Sequence, residues 1–188
     1  MTLRDTTLVD FSKPLQVSYI GPSITPLTGL NAGYRVYQID SKTFSVINSQ
    51  TFIANMSNSL SWKKPVWEFE YDTRKAYSEA SDDRQTQNPE SIQWPATSPL
   101  NATFWHLVTE RMRKSPESPS SSSLSLLDLY NMYESKSSLA KTRRGNGNIS
   151  PEQKVCFLRA GSGGLGHQCK EHFGTDARGE REKAFGMV

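Results

Sequence analysis

Two cysteines and two histidines gather late in the chain: Cys156, His167, Cys169 and His172. Thiolates and imidazoles are the ligands zinc favours in structural sites, so this set allows a metal site. The paired first cysteines of a knuckle are missing, which argues against it. Cys156 and Cys169 stand thirteen positions apart with glycines between them, so a bridge is sterically open as well. In the same interval, Gly161-Ser162-Gly163-Gly164-Leu165-Gly166 fits the pattern G-x-G-x-x-G. A dinucleotide site needs a strand before that pattern and a helix after it. Here a helical stretch precedes it and cysteines flank it, so nucleotide binding is not expected. The third histidine, His106, lies in a helical stretch beside apolar neighbours and reads as structural or surface.

Three N-glycosylation sequons occur: Asn55-Met56-Ser57, Asn101-Ala102-Thr103 and Asn148-Ile149-Ser150. Pro151 directly after the third weakens it. The basic run Lys141-Thr142-Arg143-Arg144 has no aromatic stacking platform beside it. It reads as a solvated loop, and no nucleic-acid partner is expected.

The elements that must position these residues come from a chain of 188 residues, enough for one core. Only 35% of it is hydrophobic and its mean hydropathy is −0.61, which predicts less than a full compact domain. The net charge of +3 points to neither nucleic acid nor a membrane surface. No apolar run approaches the length of a transmembrane segment. Residues Met1–Asp10 lack the apolar centre of a signal peptide.

Strand signals come first. Leu15–Ile20 is a short strand candidate, and Gly21–Gly33 is a turn-rich loop with Pro22, Pro26, Gly29 and Asn31. Tyr34–Asp40 reads as a half-buried strand, and Thr43–Ala54 as its hairpin partner. Val66–Tyr71 is a last strand or a helix entrance. Helical patterns follow at Thr73–Ala80, Asn101–Lys114, Leu124–Ser138 and Pro151–Ala160. The last has Ser150 as N-cap and Pro151 at its first position. Ser115–Ser123 reads as a flexible linker. The expected fold is α+β: N-terminal antiparallel strands, then a small helical region, together an incomplete domain.

Five stretches in this order resemble one known family. They are G-P-S-I-T-P-L-T-G-L-N-A-G-Y-R-V-Y-Q-I-D (Gly21–Asp40), Q-T-F-I-A-N-M-S (Gln50–Ser57), P-V-W-E-F-E-Y-D-T-R-K-A-Y (Pro65–Tyr77), P-L-N-A-T-F-W-H-L-V-T-E-R-M (Pro99–Met112) and K-V-C-F-L-R-A-G-S-G-G-L-G-H-Q-C (Lys154–Cys169). From about Pro14 to Cys169 the chain resembles the C-terminal region of acid sphingomyelinase-like phosphodiesterases, most of all the fungal ones, within the calcineurin-like metallophosphoesterases. The resemblance divides the chain into residues 1–54, the strand-rich end of the catalytic core, residues 55–169, a C-terminal helical region containing the linker 115–123, and a disordered tail, 170–188. It implies a Cys156–Cys169 disulfide, an extracellular or vacuolar location, glycosylation at Asn55, Asn101 and Asn148, and a loop on the substrate side of the cleft carrying Ser23, Thr25, Leu27 and Asn31.

The departure from the family matters as much. Its members hold two metals, usually zinc, on Asp-x-His, Gly-Asp-x-x-Asp, Gly-Asn-His and Gly-His-x-His motifs, and none of these occurs here. The resemblance therefore implies a chain that binds no metal itself, has no catalytic residue of its own and begins roughly where the catalytic core ends. Its expected partner is that missing core, with a lipid phosphodiester as substrate only in that context. The alternative is a non-catalytic small binding protein that retains only this region.

Overall fold

The computed structural model describes residues 14–26, 29–78, 92–114, 124–138, 150–161 and 164. Three strands, β1 (Ala32–Ile39), β2 (Val46–Ala54) and β3 (Glu68–Asp72), form an antiparallel sheet in the order β1-β2-β3. Helices α1 (Thr73–Tyr77), α2 (Ala102–Lys114), α3 (Leu126–Glu134) and α4 (Pro151–Arg159) follow. The fold is α+β, strands first and helices second.

The β1–β2 hairpin turns at Asp40, whose carboxylate accepts from the N–H groups of Lys42 and Thr43 at 3.0 and 2.7 Å and from the Thr43 hydroxyl at 2.9 Å. These donors hold the Asp40 carboxyl below its usual range. The turn closes through Phe44, which has φ 55° and projects into solvent. In β2–β3 the register shifts: Thr51 lies opposite Tyr71 but Phe52 opposite Phe69, which leaves Glu70 as the extra residue of a bulge.

Leu15–Ile20 departs from expectation. It is extended but joins no ladder among the described residues. Side chains hold it instead: the Tyr19 hydroxyl donates to the Leu100 carbonyl, and its ring meets Tyr37 edge-on at 5.8 Å. Leu15 and Ile20 are 92% and 82% exposed while Val17 and Tyr19 are half-buried, so only part of the stretch is covered.

Side-chain caps set the helix starts, at Ser150 as expected and also at Asn101 and Ser125. The Asn101 side-chain oxygen accepts from Phe104 N at 3.1 Å, and Ser125 accepts from Asp128 N at 3.1 Å. Ser150 and Gln153 form a reciprocal capping box at the start of α4. On α2, Phe104, Val108 and Met112 recur every fourth position and are fully buried. They pack with Tyr77, Leu100, Leu126 and Val155 into one core.

Two arginines tie the layers. Arg74, 9% exposed, donates to the carbonyls of Pro95 at 2.9 Å, Ile47 at 2.7 Å and Ser98 at 2.5 Å, pinning the 95–98 loop to β2. Arg159 of α4 reaches α2, donating to Glu110 Oε1 at 2.8 Å and from Nε to the Thr109 hydroxyl at 3.0 Å.

Candidate functional site

The covered face of the sheet is mixed: Ser49 and Thr51 are 2% and 1% exposed, and Ile53 and Tyr71 are buried on the same face. Arg35 lies opposite Thr51 in the register and donates to its hydroxyl at 2.9 Å and to Tyr71 OH at 2.7 Å. Ser49 Oγ lies 2.6 Å from Thr73 Oγ1. These groups are hydrogen-bonded among themselves, so burial costs them little.

The opposite face is aromatic and open. Tyr34 stacks on Phe52, with centroids 5.1 Å apart and planes 9° apart. Trp67 meets Tyr34 edge-on at 4.9 Å, and Phe69 meets Phe52 edge-on at 5.7 Å. Val36 and Phe69 remain 51% and 56% exposed, and Trp67 36%. A contiguous aromatic ridge in water is what an interaction surface looks like before its partner arrives. Tyr34 and Val36 alternate along β1 visibly, but the ridge also depends on Trp67 and on the bulge that places Phe69 opposite Phe52. Sequence reasoning missed that membership.

The predicted substrate-side loop divides in two. Ser23 and Thr25 are exposed, and the Ser23 hydroxyl accepts from Thr25 N at 3.1 Å. Leu27 lies outside the described residues. Asn31 is 5% exposed and directed inward. Its amide donates to Lys136 O at 2.8 Å and accepts from Met56 N at 2.9 Å, while its backbone N–H donates to Ser138 Oγ at 2.7 Å. The Lys136 ammonium donates to Ser23 O at 3.2 Å. Gly33 sits where these segments converge: a Cβ there would lie 3.1 Å from both Lys136 Cδ and Pro22 Cβ.

Beside this junction is Glu70, the bulge residue, which no sequence signal singled out. One carboxylate oxygen accepts from Ser137 Oγ at 2.8 Å; the other is buried without a partner among the described residues. Burial pushes its carboxyl up to about 7, against the lowering influence of Ser137, Arg35 and Lys136. Burial also lowers the Lys136 ammonium, which Glu70 opposes.

The remaining predicted residues are scattered. His106 is half-buried on α2, its imidazole lowered by burial and by the Arg159 charge. No group of three or more His, Cys, Asp or Glu among the described residues could hold a metal ion. Cys156 is fully buried on α4; Cys169, His167 and His172 lie outside the described residues, as does Asn148. Asn55 and Asn101 use their side-chain oxygens as caps, accepting from Ser57 N and Phe104 N at 3.1 Å each. A shallow depression of ≈ 240 Å³ along α2, lined by Ile92, Leu107 and Glu110 among others, is smaller than an ordinary ligand pocket. Among the described residues no helix is long and apolar enough to cross a membrane.

A short antiparallel sheet with one covered face, an open aromatic face and a helical cluster behind it makes an α+β fold. No family model matches the chain. Part of it is nonetheless homologous to sphingomyelin phosphodiesterases. It is 34% identical over 107 residues to sphingomyelin phosphodiesterase of Homo sapiens, covering 54% of this chain and 14% of that protein. It is 32% identical over 111 residues to the Bos taurus protein, covering 56% of this chain and 15% of that protein. Over 67 residues it is 39% identical to sphingomyelin phosphodiesterase 1 of Caenorhabditis elegans, covering 35% of this chain and 12% of that protein. The chain thus matches about a seventh of the length of these relatives.

Proposed function

We propose that this chain is the C-terminal part of a sphingomyelin phosphodiesterase-type hydrolase of the metallophosphoesterase superfamily, fungal in type, and that it acts only when docked on a catalytic core. The observation that carries the reading is the local similarity to sphingomyelin phosphodiesterases together with the small share of their length that it covers. The open aromatic face supports it: Tyr34, Phe52, Trp67 and Phe69 form a surface whose remaining exposed apolar area a docked partner would cover. The occupant of that face is the metal-bearing core of the same enzyme type, and the exposed segment at Ser23 and Thr25 contributes to the substrate side of the cleft, facing a lipid phosphodiester.

In this reading the zinc of such an enzyme belongs to the core. The described residues of this chain do not fit a two-metal site, which needs several histidines and carboxylates converging, and no catalytic step is assigned to them. The parent is extracellular or vacuolar. The sequons fit that setting: at Asn55 and Asn101 the cap uses the side-chain oxygen, leaving the nitrogen that would carry a glycan outside the cap bond. The Cys156–Cys169 disulfide belongs to the same setting.

The purified chain is expected to hydrolyse neither sphingomyelin nor a chromogenic phosphodiester with zinc added. Chelator-sensitive turnover that survives repurification would sink this reading. A transcript whose frame runs upstream of the Met1 codon into a Gly-His-x-His motif would support it. A stop codon there would favour a free-standing, non-catalytic interaction protein.

A further inference from the structure

The turn that follows α3 is held by contacts that converge on one carboxyl group. Lys136 and Ser137 adopt left-handed backbone angles, φ 54° and 49°, so the turn depends on its tertiary contacts. On one side it grips the N-terminal segment, through Lys136 Nζ to Ser23 O and through Asn31 to Lys136 O and Ser138 Oγ. On the other it grips the sheet, through Ser137 Oγ to Glu70 Oε1 at 2.8 Å.

We propose that the Glu70 carboxyl is a proton-operated latch: protonated, it holds this turn, and through it the chain at Ser23 and Asn31, against the sheet; ionised, it loosens both. The geometry supplies the asymmetry. Glu70 Oε2 is buried and has no partner among the described residues. A proton on Oε2 leaves Oε1 free to accept from Ser137, so the bond survives and the unpartnered charge disappears.

The groups facing Glu70 offset its ionised form only in part, because burial outweighs them. Arg35 of β1 directs its guanidinium to Thr51 and to Tyr71 OH. Lys136 directs its ammonium to Ser23 O. Tyr71 of β3 and Tyr133 of α3 present stacked rings and no positive charge. The carboxyl, raised to about 7 first by burial, lies above its ordinary value of 4.5. The folded chain therefore takes up a proton between these two values. The stabilisation is complete below about pH 4.5 and is lost as pH rises to about 7. The latch stands independently of the proposed parent enzyme, since it uses contacts within this chain alone.

The test uses the full chain, with urea denaturation and amide hydrogen exchange at pH 5 and pH 8 on wild type, Glu70→Gln and Ser137→Ala. After correction for intrinsic exchange, protection at the Asn31 and Gly33 amides is expected to fall several-fold from pH 5 to 8 in wild type. Glu70→Gln, which keeps the acceptor but cannot ionise, should hold its protection across that range. The ratio of the two unfolding constants should change by up to about tenfold per pH unit between the two limits. Ser137→Ala should move the midpoint to higher pH, because the hydroxyl stabilises the ionised form. An equal pH dependence in wild type and Glu70→Gln would overturn the latch. A carboxyl carbon NMR titration of Glu70 gives a second arm: a midpoint near 7 supports the proposal, and one below about 5 refutes it.

Discussion

The ring of Tyr71 on β3 lies flat against Tyr133 on α3, centroids 3.9 Å apart and planes 15° apart. The Arg35 guanidinium sits over the same Tyr71 ring at 5.7 Å and donates to its hydroxyl. This stack joins the covered face of the sheet to the helical cluster and fixes the height at which α3 ends over β3. Removing it should therefore separate two layers rather than merely open a cavity.

Tyr133→Ala is expected to destabilise the chain by about 2–3 kcal/mol, below the full value for a core aromatic because Tyr133 is half-buried. Tyr133→Phe, which keeps the stack, should stay within about 0.5 kcal/mol of wild type. Urea unfolding of the three proteins checks this; equal losses for Phe and Ala would show that the hydroxyl, not the ring, matters.

Arg74 serves three carbonyls from two segments with one planar group. Arg74→Lys retains the charge but cannot reach all three, and each part-buried carbonyl left without a donor costs up to about 1–3 kcal/mol. We expect Arg74→Lys to lose at least about 2 kcal/mol and to speed exchange at the Leu100 amide, which donates to Val46 O next to the pinned loop. Lysine rescuing both stability and protection would contradict the three-carbonyl account.

Phe44 places an exposed aromatic ring on a left-handed backbone, 81% open to solvent at φ 55°. Phe44→Gly or Phe44→Asn should stabilise the hairpin by about 0.5–1 kcal/mol, since relief of backbone strain outweighs the extra freedom of the unfolded chain. A lowered thermal midpoint for both variants would mean that the ring makes a contact on which the turn depends.

Local physics already determined much of this protein. The helix start at Ser150 is legible because capping chemistry is local. The stripe Phe104, Val108 and Met112 is legible because spacing alone puts those side chains on one face. The hairpin at Asp40 is legible because a short carboxylate can bond the backbone two and three residues on. The order of strands then helices follows from the same signals.

Tertiary structure alone decided which sheet face is covered. Alternation shows that Tyr34 and Val36 share a face; it does not show that helices would pack on the other face, which carries Arg35 and Thr51. Nor does alternation predict the one-residue bulge that singles out Glu70 and brings it to Ser137, 67 positions away. Leu15–Ile20 has the composition of a strand, yet pairing needs an edge in reach, which is a property of the assembled sheet. Composition and periodicity act over a few residues, whereas cover, register and the raised carboxyl arise from segments that meet only after folding.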